Sequence, residues 1–283
     1  MRTYTAPSDV RTFPIGDIEL ACLSWGDAGP LVILTHGFPD TAHTWDVVGP
    51  RVAAAGFRVL APFTRGIAPS SAPADGAYDA DSMGRDLLGL IEAAGEEQAI
   101  LVGHDFGASA VYAATGLAPE RVRRMVTVAI PHPASLKPTP ALMWGARHFA
   151  TLRFPGAVGR FSAGDFQGIR VLYERWSPTF DWPDSEFEAA KNSYSAPGCC
   201  AAALSYYKFV AAPSKGIAAR IAVPSLVIGG RDDGVADEGA FMGSLSRFTG
   251  DVDVVMVPGG HFLHREHPEP FMDVLLPFLQ ATL

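Results

Sequence analysis

Cysteine is scarce in this sequence of 283 residues, which contains Cys22, Cys199 and Cys200. The adjacent pair could form a disulfide only under strain, because neighbouring Cα atoms lie closer together than a relaxed bridge requires. Three cysteines therefore exclude a disulfide framework, and no metal-ligand spacing is visible among them. Free thiols are typical of a reducing compartment, so we expect the cytoplasm.

The sequence also lacks long apolar runs, clustered basic residues, internal repeats and low-complexity segments. No stretch reaches the roughly 18 apolar residues of a membrane span, and the residues after Met1 lack the apolar segment of a signal peptide. The formal net charge is −8, which argues against a nucleic-acid partner. With 48% hydrophobic residues, the composition is that of a globular enzyme with neither nucleic acid nor membrane as partner.

Short, apolar, β-branched runs alternate with longer segments of helical period. This alternation is typical of a mostly parallel sheet covered by helices. A helix is predicted at residues 83–94 from its apolar stripe, and a second at 108–117. The clearest predicted strands are residues 31–35, 58–61, 99–102, 122–130, 225–228 and 252–257.

The alternation breaks after residue 130. From there to about residue 214, prolines and aromatic residues are frequent, helical patches such as 166–176 occur, and no convincing strand is found. A run of this length is too long for a structureless loop. We therefore predict a core domain of residues 1–131 and 215–283, with an inserted helical lid of residues 132–214.

The most informative segment is Gly103-His104-Asp105-Phe106-Gly107, between a predicted strand and a predicted helix. It has the strand–turn–helix form of the nucleophile elbow, Gly-x-nucleophile-x-Gly, with aspartate where esterases have serine. The glycines allow a sharp turn that leaves the central residue strained and exposed, and the helix N-terminus favours negative charge there. Asp105 is the candidate nucleophile; the alternative is a glycine-rich turn in which Asp105 caps the helix.

Three further motifs follow predicted strands. They are His-Gly-Phe-Pro-Asp at residues 36–40, Gly-Gly-Arg-Asp-Asp-Gly-Val at residues 229–235, and Pro-Gly-Gly-His-Phe-Leu at residues 258–263. The carboxyl ends of the strands are where an open α/β sheet places its site. We therefore expect all three motifs to belong to the same site as Asp105.

These four motifs resemble the α/β-hydrolase family, in the branch of the epoxide hydrolases and haloalkane dehalogenases, and they resemble the epoxide hydrolases most closely. The resemblance extends over the whole chain and implies an α/β-hydrolase fold. It implies that the N–H groups of Phe38 and Phe106 form an oxyanion hole, and that the bond before Pro39 is cis. It also implies that His261 is the base and is oriented by an acid, for which the motif favours Asp232 and leaves Asp233 as the alternative.

An aspartate nucleophile indicates the kind of electrophile. A carboxylate is ionised at neutral pH and needs no base for its attack, but on an ester carbonyl it would give an unfavourable anhydride. On a saturated carbon it gives a stable alkyl ester, so Asp105 favours opening of an epoxide or displacement of a halide. His261 would then activate water to hydrolyse that ester, and no cofactor is expected. A metal site formed by His261, His264 and His267 is a weaker alternative for these histidines.

The leaving oxygen of an epoxide requires a hydrogen-bond donor, which epoxide hydrolases usually supply from two lid tyrosines. The segment Leu-Ser-Tyr-Tyr-Lys at residues 204–208 is similar to their lid motif and selects Tyr207. Where the first tyrosine is expected there is none, and His148 is the candidate replacement, because some members of the family use a histidine–tyrosine pair. Both side chains could instead be packing residues.

Apolar walls are expected around a small-molecule site. The remaining candidate substrate-binding residues are His36, Pro39, Trp45, Trp144, Leu204 and Phe262. For the first three the alternative is a structural role in the loop. The expected partners are a small apolar epoxide and water, and the expected product is a vicinal diol.

Two other functions are possible for this pattern. Haloalkane dehalogenases typically have tryptophan directly after the nucleophile, whereas this chain has Phe106, although the lid contains Trp144, Trp176 and Trp182. Haloacid dehalogenases tend to carry arginine near the nucleophile, which is absent here. A non-catalytic receptor on the same fold is the third possibility, but a receptor has no need of a base.

Overall fold

The computed structural model describes residues 9–281, which form an eight-stranded sheet. Its strands are β1 (Asp9–Ile15), β2 (Ile18–Trp25), β3 (Leu31–Thr35), β4 (Arg58–Pro62), β5 (Ala99–His104), β6 (Val122–Val128), β7 (Ser225–Gly230) and β8 (Val252–Val257). They lie in the order β1-β2-β4-β3-β5-β6-β7-β8. Strands β3 to β8 pair in parallel, and β2 runs antiparallel to both β1 and β4. The predicted mostly parallel sheet is confirmed.

Helices lie on both faces of the sheet. They are α1 (Val48–Ala54), α2 (Ala80–Ala93), α3 (Phe106–Leu117), α4 (Pro140–Gly145), α5 (His148–Arg153), α6 (Ala157–Trp176), α7 (Glu188–Tyr194), α8 (Cys199–Phe209), α9 (Lys215–Ala218), α10 (Glu238–Gly243), α11 (Leu263–Glu266) and α12 (Pro268–Gln280). Short 3-10 helices occur at Ala42–Trp45, Pro119–Arg121, Pro133–Ser135, Asp184–Glu186 and Ser244–Arg247. Among residues 9–281, no helix is long and apolar enough to cross a membrane.

The central strands are buried on both faces, which explains their nearly continuous apolar sequence. Every residue of β3, β5 and β7 is buried. Alternate side chains of a strand point to opposite faces, so Val32 and Leu34 join one core cluster while Leu31 and Ile33 join the other. The six predicted strands correspond to β3–β8. The hairpin of β1 and β2 was not among the predicted strands.

The segment between β6 and β7 contains helices α4–α9 and none of the sheet's strands. The predicted helix at residues 166–176 forms the second half of α6, which is interrupted at Ala163–Phe166 by non-helical backbone. This segment is the predicted helical insertion, and we call it the lid. The exact domain bounds proposed above stay a prediction.

A buried ion-pair cluster joins the lid to the core. The guanidinium of Arg265 donates to the carboxylates of Asp40, at 2.8 Å, and Glu186, at 2.6 Å. It also donates to the Tyr173 hydroxyl at 2.7 Å. Arg265 is 8% exposed and both carboxylates are buried, so each charge depends on the others for its solvation.

Candidate active site

Asp105 lies at a sharp turn between β5 and α3. Its φ of +52° falls in a region that side-chain-bearing residues rarely adopt. The flanking glycines have no room for a side chain, because a Cβ on Gly103 would lie 2.2 Å from the carbonyl oxygen of Gly107, and one on Gly107 2.3 Å from that of Thr35. Strand, turn and helix are therefore packed tightly enough to hold the strained backbone of the predicted elbow.

His261 follows β8 and lies between two carboxylates. Its Nε2 is 3.4 Å from Oδ2 of Asp105, and its Nδ1 is 3.0 Å from Oδ2 of Asp233. A carboxylate can only accept, so Nδ1 carries the hydrogen of the Asp233 contact. The imidazole therefore connects the candidate nucleophile to a second buried acid.

The acid next to His261 is Asp233, which corrects the preference for Asp232. The Asp233 side chain is 0% exposed, and its Oδ1 accepts the N–H of Val235 at 2.7 Å. Asp232 is exposed and meets the histidine loop through its backbone, whose N–H donates to the Gly259 carbonyl. Neighbouring side chains leave the backbone in different directions, so this loop can turn only one of its two carboxylates towards the imidazole.

The two carboxylates determine the charge of His261. Burial alone would lower the pKa of His261, but Asp233 and Asp105 outweigh it and raise the pKa to about 10. Burial would likewise raise the pKa of Asp105, but its hydrogen bond and attraction to His261 lower that pKa below its ordinary value. At neutral pH the ring is thus an imidazolium paired with an ionised Asp105.

The residues predicted for the oxyanion hole lie on either side of Asp105. The N–H of Phe38 donates to Asp105 Oδ1 at 2.8 Å. Phe106 is the first residue of α3, where N–H groups have no partner within the helix. The peptide bond between Phe38 and Pro39 is cis, as the resemblance implied. Both N–H groups are therefore close to the carboxyl group that would become an ester.

Tyr207 lies in the lid above the nucleophile. Its ring meets those of Phe38 and Phe106 edge-on, at centroid distances of 5.1 and 5.0 Å. Burial and the negative charge of Asp105 raise the pKa of Tyr207, so the phenol stays protonated. Among residues 9–281 no hydrogen bond contributes to the pKa of this hydroxyl, which leaves it available as a donor.

His148 is next to Tyr207, with a centroid distance of 5.6 Å between the rings. Its Nδ1 lies 3.1 Å from the Gly145 carbonyl oxygen, to which it donates. Burial lowers the pKa of His148 to about 4, so the ring is neutral at pH 7 and its Nε2 carries a lone pair in this arrangement. A donor role for His148 therefore requires the ring to give up the Gly145 contact or to gain a proton, and that role stays a prediction.

His36 and Trp45 have structural surroundings in this structure. The Nε2 of His36 accepts the Thr64 N–H at 3.0 Å, and its Nδ1 lies 2.8 Å from the Gly37 carbonyl oxygen. Both ring nitrogens are thus used by the backbone, which leaves none for a substrate. Trp45 is 0% exposed and packs on His264 at a centroid distance of 4.6 Å. Both residues therefore fit the structural alternative.

The other three candidate wall residues differ in exposure. Leu204 and Phe262 are buried, and Phe262 stacks on Tyr173 at a centroid distance of 4.0 Å. Trp144 is 70% exposed and lies against the guanidinium of Arg147. Trp144 is therefore not part of a buried wall around Asp105, but it lines a groove beside Asp233, and its role in substrate binding stays a prediction.

Trp176 lies closer to the candidate catalytic residues than the sequence indicated. Its ring is 4.7 Å from that of His148 and 5.0 Å from that of His261, measured between centroids. The sequence marked it only as one of several lid tryptophans. No local signal distinguishes it, because its position depends on how the lid packs on the core.

Two grooves flank this centre. One, of about 720 Å³, lies beside Asp233 between the lid and α10, and the other, of about 640 Å³, is lined by Leu204 and Cys199 among others. Neither is lined by Asp105, which is 9% exposed. The candidate nucleophile is therefore nearly closed off from both grooves.

Comparison with known proteins gives a match to the α/β-hydrolase fold family over residues 30–268. Epoxide hydrolase A of Mycobacterium tuberculosis is 38% identical over 168 residues, which cover 56% of this chain and 52% of that protein. An epoxide hydrolase of Caballeronia sordidicola is 27% identical over an alignment of 304 residues, which covers 90% of this chain and 89% of that protein. This chain thus aligns with about half of the first relative and most of the second.

A solved structure gives the same fold. The epoxide hydrolase of Bacillus megaterium, crystallised with an inhibitor, superimposes with a TM-score of 0.82 and 21% identity over 95% of this chain and 100% of that one. At this identity the likeness concerns the fold alone. The relatives in sequence confirm the resemblance to epoxide hydrolases that the motifs indicated.

Proposed function

This chain belongs to the α/β-hydrolase fold family, and we propose that within it the chain is an epoxide hydrolase that converts a small apolar epoxide into a vicinal diol. The observation that carries the proposal is the position of Asp105, a strained carboxylate between the Phe38 N–H and the His261 ring. The names of the sequence relatives support the choice of an epoxide. The cytoplasmic location stays a prediction.

In the first step, Asp105 attacks a ring carbon of the epoxide. A lone pair of its carboxylate forms the new C–O bond while the strained C–O bond of the ring breaks, leaving an alkyl ester and an alkoxide. The hydroxyl of Tyr207 donates a hydrogen bond to that oxygen as its charge develops. A donor directed at charge present only in the transition state accelerates the reaction.

The loss of charge on Asp105 prepares the second step. In the free enzyme, two carboxylates hold the proton on His261. Esterification removes one of them, so the pKa of His261 falls and its proton can pass, through Tyr207 or water, to the alkoxide. The neutral ring is then the base that the ester requires.

Water completes the cycle. The neutral His261 removes a proton from water as the water oxygen adds to the ester carbonyl, and the N–H groups of Phe38 and Phe106 stabilise the oxyanion. Collapse breaks the carboxyl–oxygen bond to the substrate, and the departing alkoxide takes the remaining proton of the added water oxygen, which releases the diol. Asp105 is again a carboxylate, and His261 is again protonated, so the net reaction is epoxide plus water to diol.

Isotope transfer tests this covalent route. A single turnover of styrene oxide in heavy-oxygen water should give unlabelled diol, because the transferred oxygen comes from the Asp105 carboxylate. Later turnovers should give labelled diol. Label in the diol from the first turnover would mean direct attack by water and would refute the ester intermediate. Asp105→Ala is the control and should form no diol.

Haloalkane dehalogenation is the second candidate. It is favoured by Trp176, whose buried indole Nε1 has no partner within the described residues and could donate to a halide. The side chain of Phe106 next to the nucleophile offers no donor. Halide release from 1-bromobutane that exceeds diol formation from styrene oxide would favour this candidate over the epoxide.

A further inference from the structure

The C-terminal end of helix α6 contacts both catalytic loops at one point. We call residues 175–177 the lid corner. The backbone carbonyl of Trp176 accepts the N–H of Gly234, next to Asp233, at 3.0 Å. The same oxygen accepts the N–H of His261, also at 3.0 Å. We call the loop that carries Asp233 (residues 229–235) the acid loop and the loop that carries His261 (residues 258–263) the base loop. A single lid carbonyl thus joins the two loops.

Ser177 extends this contact to both neighbours of His261. Its hydroxyl donates to Glu266 Oε1 at 2.5 Å and accepts the Phe262 N–H at 3.2 Å. Glu266 in turn accepts the N–H of Phe262 at 3.0 Å and that of Gly260 at 2.8 Å. Ser177 and Glu266 are 0% and 4% exposed, so water does not compete for these bonds. The backbone on both sides of the base is therefore held by one buried pair.

Two glycines independently indicate that the lid corner packs closely against both loops. A Cβ on Gly234 would lie 2.3 Å from the Arg175 carbonyl oxygen, and a Cβ on Gly260 would lie 2.5 Å from the Ser177 Cα. Both distances are too short for any side chain. The acid loop and the base loop thus each have a glycine where the lid corner approaches.

We propose that the lid corner positions His261, through Ser177 and Glu266, and Asp233, through the Trp176 carbonyl, for hydrolysis of the ester. Ser177 and Glu266 are positioning residues, because they contact the backbone of the base loop and not the reacting atoms. The inference rests on the proposed epoxide hydrolysis and concerns its second step. The hydrogen bonds of the lid corner hold neither Asp105 nor Tyr207, which carry out the first step.

Because the two steps need different groups, a positioning role for Ser177 can be distinguished from a role in the stability of the whole protein. Alkylation needs the Asp105 carboxylate and a donor, whereas hydrolysis also needs the Nε2 of His261 aimed at a water. A small displacement of a reacting group can cost on the order of 10²-fold in rate. Loss of the Ser177 hydroxyl should therefore slow hydrolysis and leave alkylation unchanged.

The test measures both steps in rapid-quench single turnovers with styrene oxide, using the mass of the intact protein to follow the ester. We expect Ser177→Ala to form the ester at the wild-type rate, to hydrolyse it roughly 10–100-fold more slowly, and to accumulate it in the steady state. Ser177→Thr keeps the hydroxyl and should restore hydrolysis. Glu266→Gln, which cannot accept from both N–H groups in the same way, should repeat the defect if Ser177→Ala folds poorly.

The matched control is Ser195→Ala, which removes a lid hydroxyl just after α7 whose hydrogen bond is local, to the Lys191 carbonyl. It should behave as wild type in both steps. Equal slowing of both steps by Ser177→Ala, or wild-type hydrolysis in it and in Glu266→Gln, would overturn the positioning role. A wild-type protein that forms neither ester nor diol would instead overturn the proposed function itself.

Discussion

Replacement of Asp233 by asparagine tests which of two adjacent carboxylates serves the base. The change removes one charge and keeps the size of the side chain. The rise of the His261 pKa from its ordinary value of 6.5 to about 10 corresponds to about 5 kcal/mol in favour of the charged ring. Among the groups that raise this pKa, Asp233 contributes most. Asp233→Asn should therefore make His261 a much weaker base.

The substitution also changes the direction of the ring. The amide can offer either an oxygen or an N–H to Nδ1, so the tautomer with Nε2 free for water is no longer enforced. In serine proteases the comparable change lowers kcat by about 10⁴. We expect hydrolysis of the ester by Asp233→Asn to slow by on the order of 10²–10⁴, with a smaller effect on alkylation.

The assay is the decay of the ester in single turnovers of styrene oxide, followed by the mass of the protein. Asp232→Asn is the matched control, because it removes an equal charge from the neighbouring residue, whose side chain is exposed. The ester of Asp232→Asn should decay at the wild-type rate. A slower decay in Asp232→Asn than in Asp233→Asn would refute the assignment of the acid and return it to the position that the motif favoured.

Tyr207→Phe keeps the ring packing and should slow alkylation by about 10²–10³-fold; alkylation at the wild-type rate would remove the hydroxyl from the mechanism. His148→Tyr should alkylate faster than His148→Phe, because only the former can donate; equal rates would make His148 a packing residue. The alkylation rate should be flat from about pH 5 to 9, because the pKa of Asp105 is lowered and those of His148 and His261 are about 4 and 10; a step near pH 6.5 would contradict these pKa values. Arg265→Met should lower the free energy of unfolding by about 3–5 kcal/mol, because it removes the cation that two buried carboxylates share; urea denaturation with an unchanged midpoint would show that the cluster adds no stability.

The sequence alone was enough for the fold and for the sharp turn that carries Asp105. The buried strands have apolar, β-branched sequences because both faces of the sheet are covered, and that signal is local to each strand. Gly103, Asp105 and Gly107 lie within five residues, so the elbow is readable as a contiguous pattern. The hairpin β1–β2 gave a weaker signal, because most of β1, at the edge of the sheet, is solvent-exposed and carries polar residues.

The tertiary structure decided the features that depend on the orientation of side chains and on contacts between distant segments of the chain. Asp232 and Asp233 are adjacent and chemically identical, and only the path of the loop turns Asp233 towards His261. The position of the proton on His148 follows from a lid carbonyl. Ser177 and Glu266 are 89 residues apart and meet only because the lid packs on the histidine loop. A linear sequence specifies which chemical groups are present, whereas their orientation follows from packing across the whole chain.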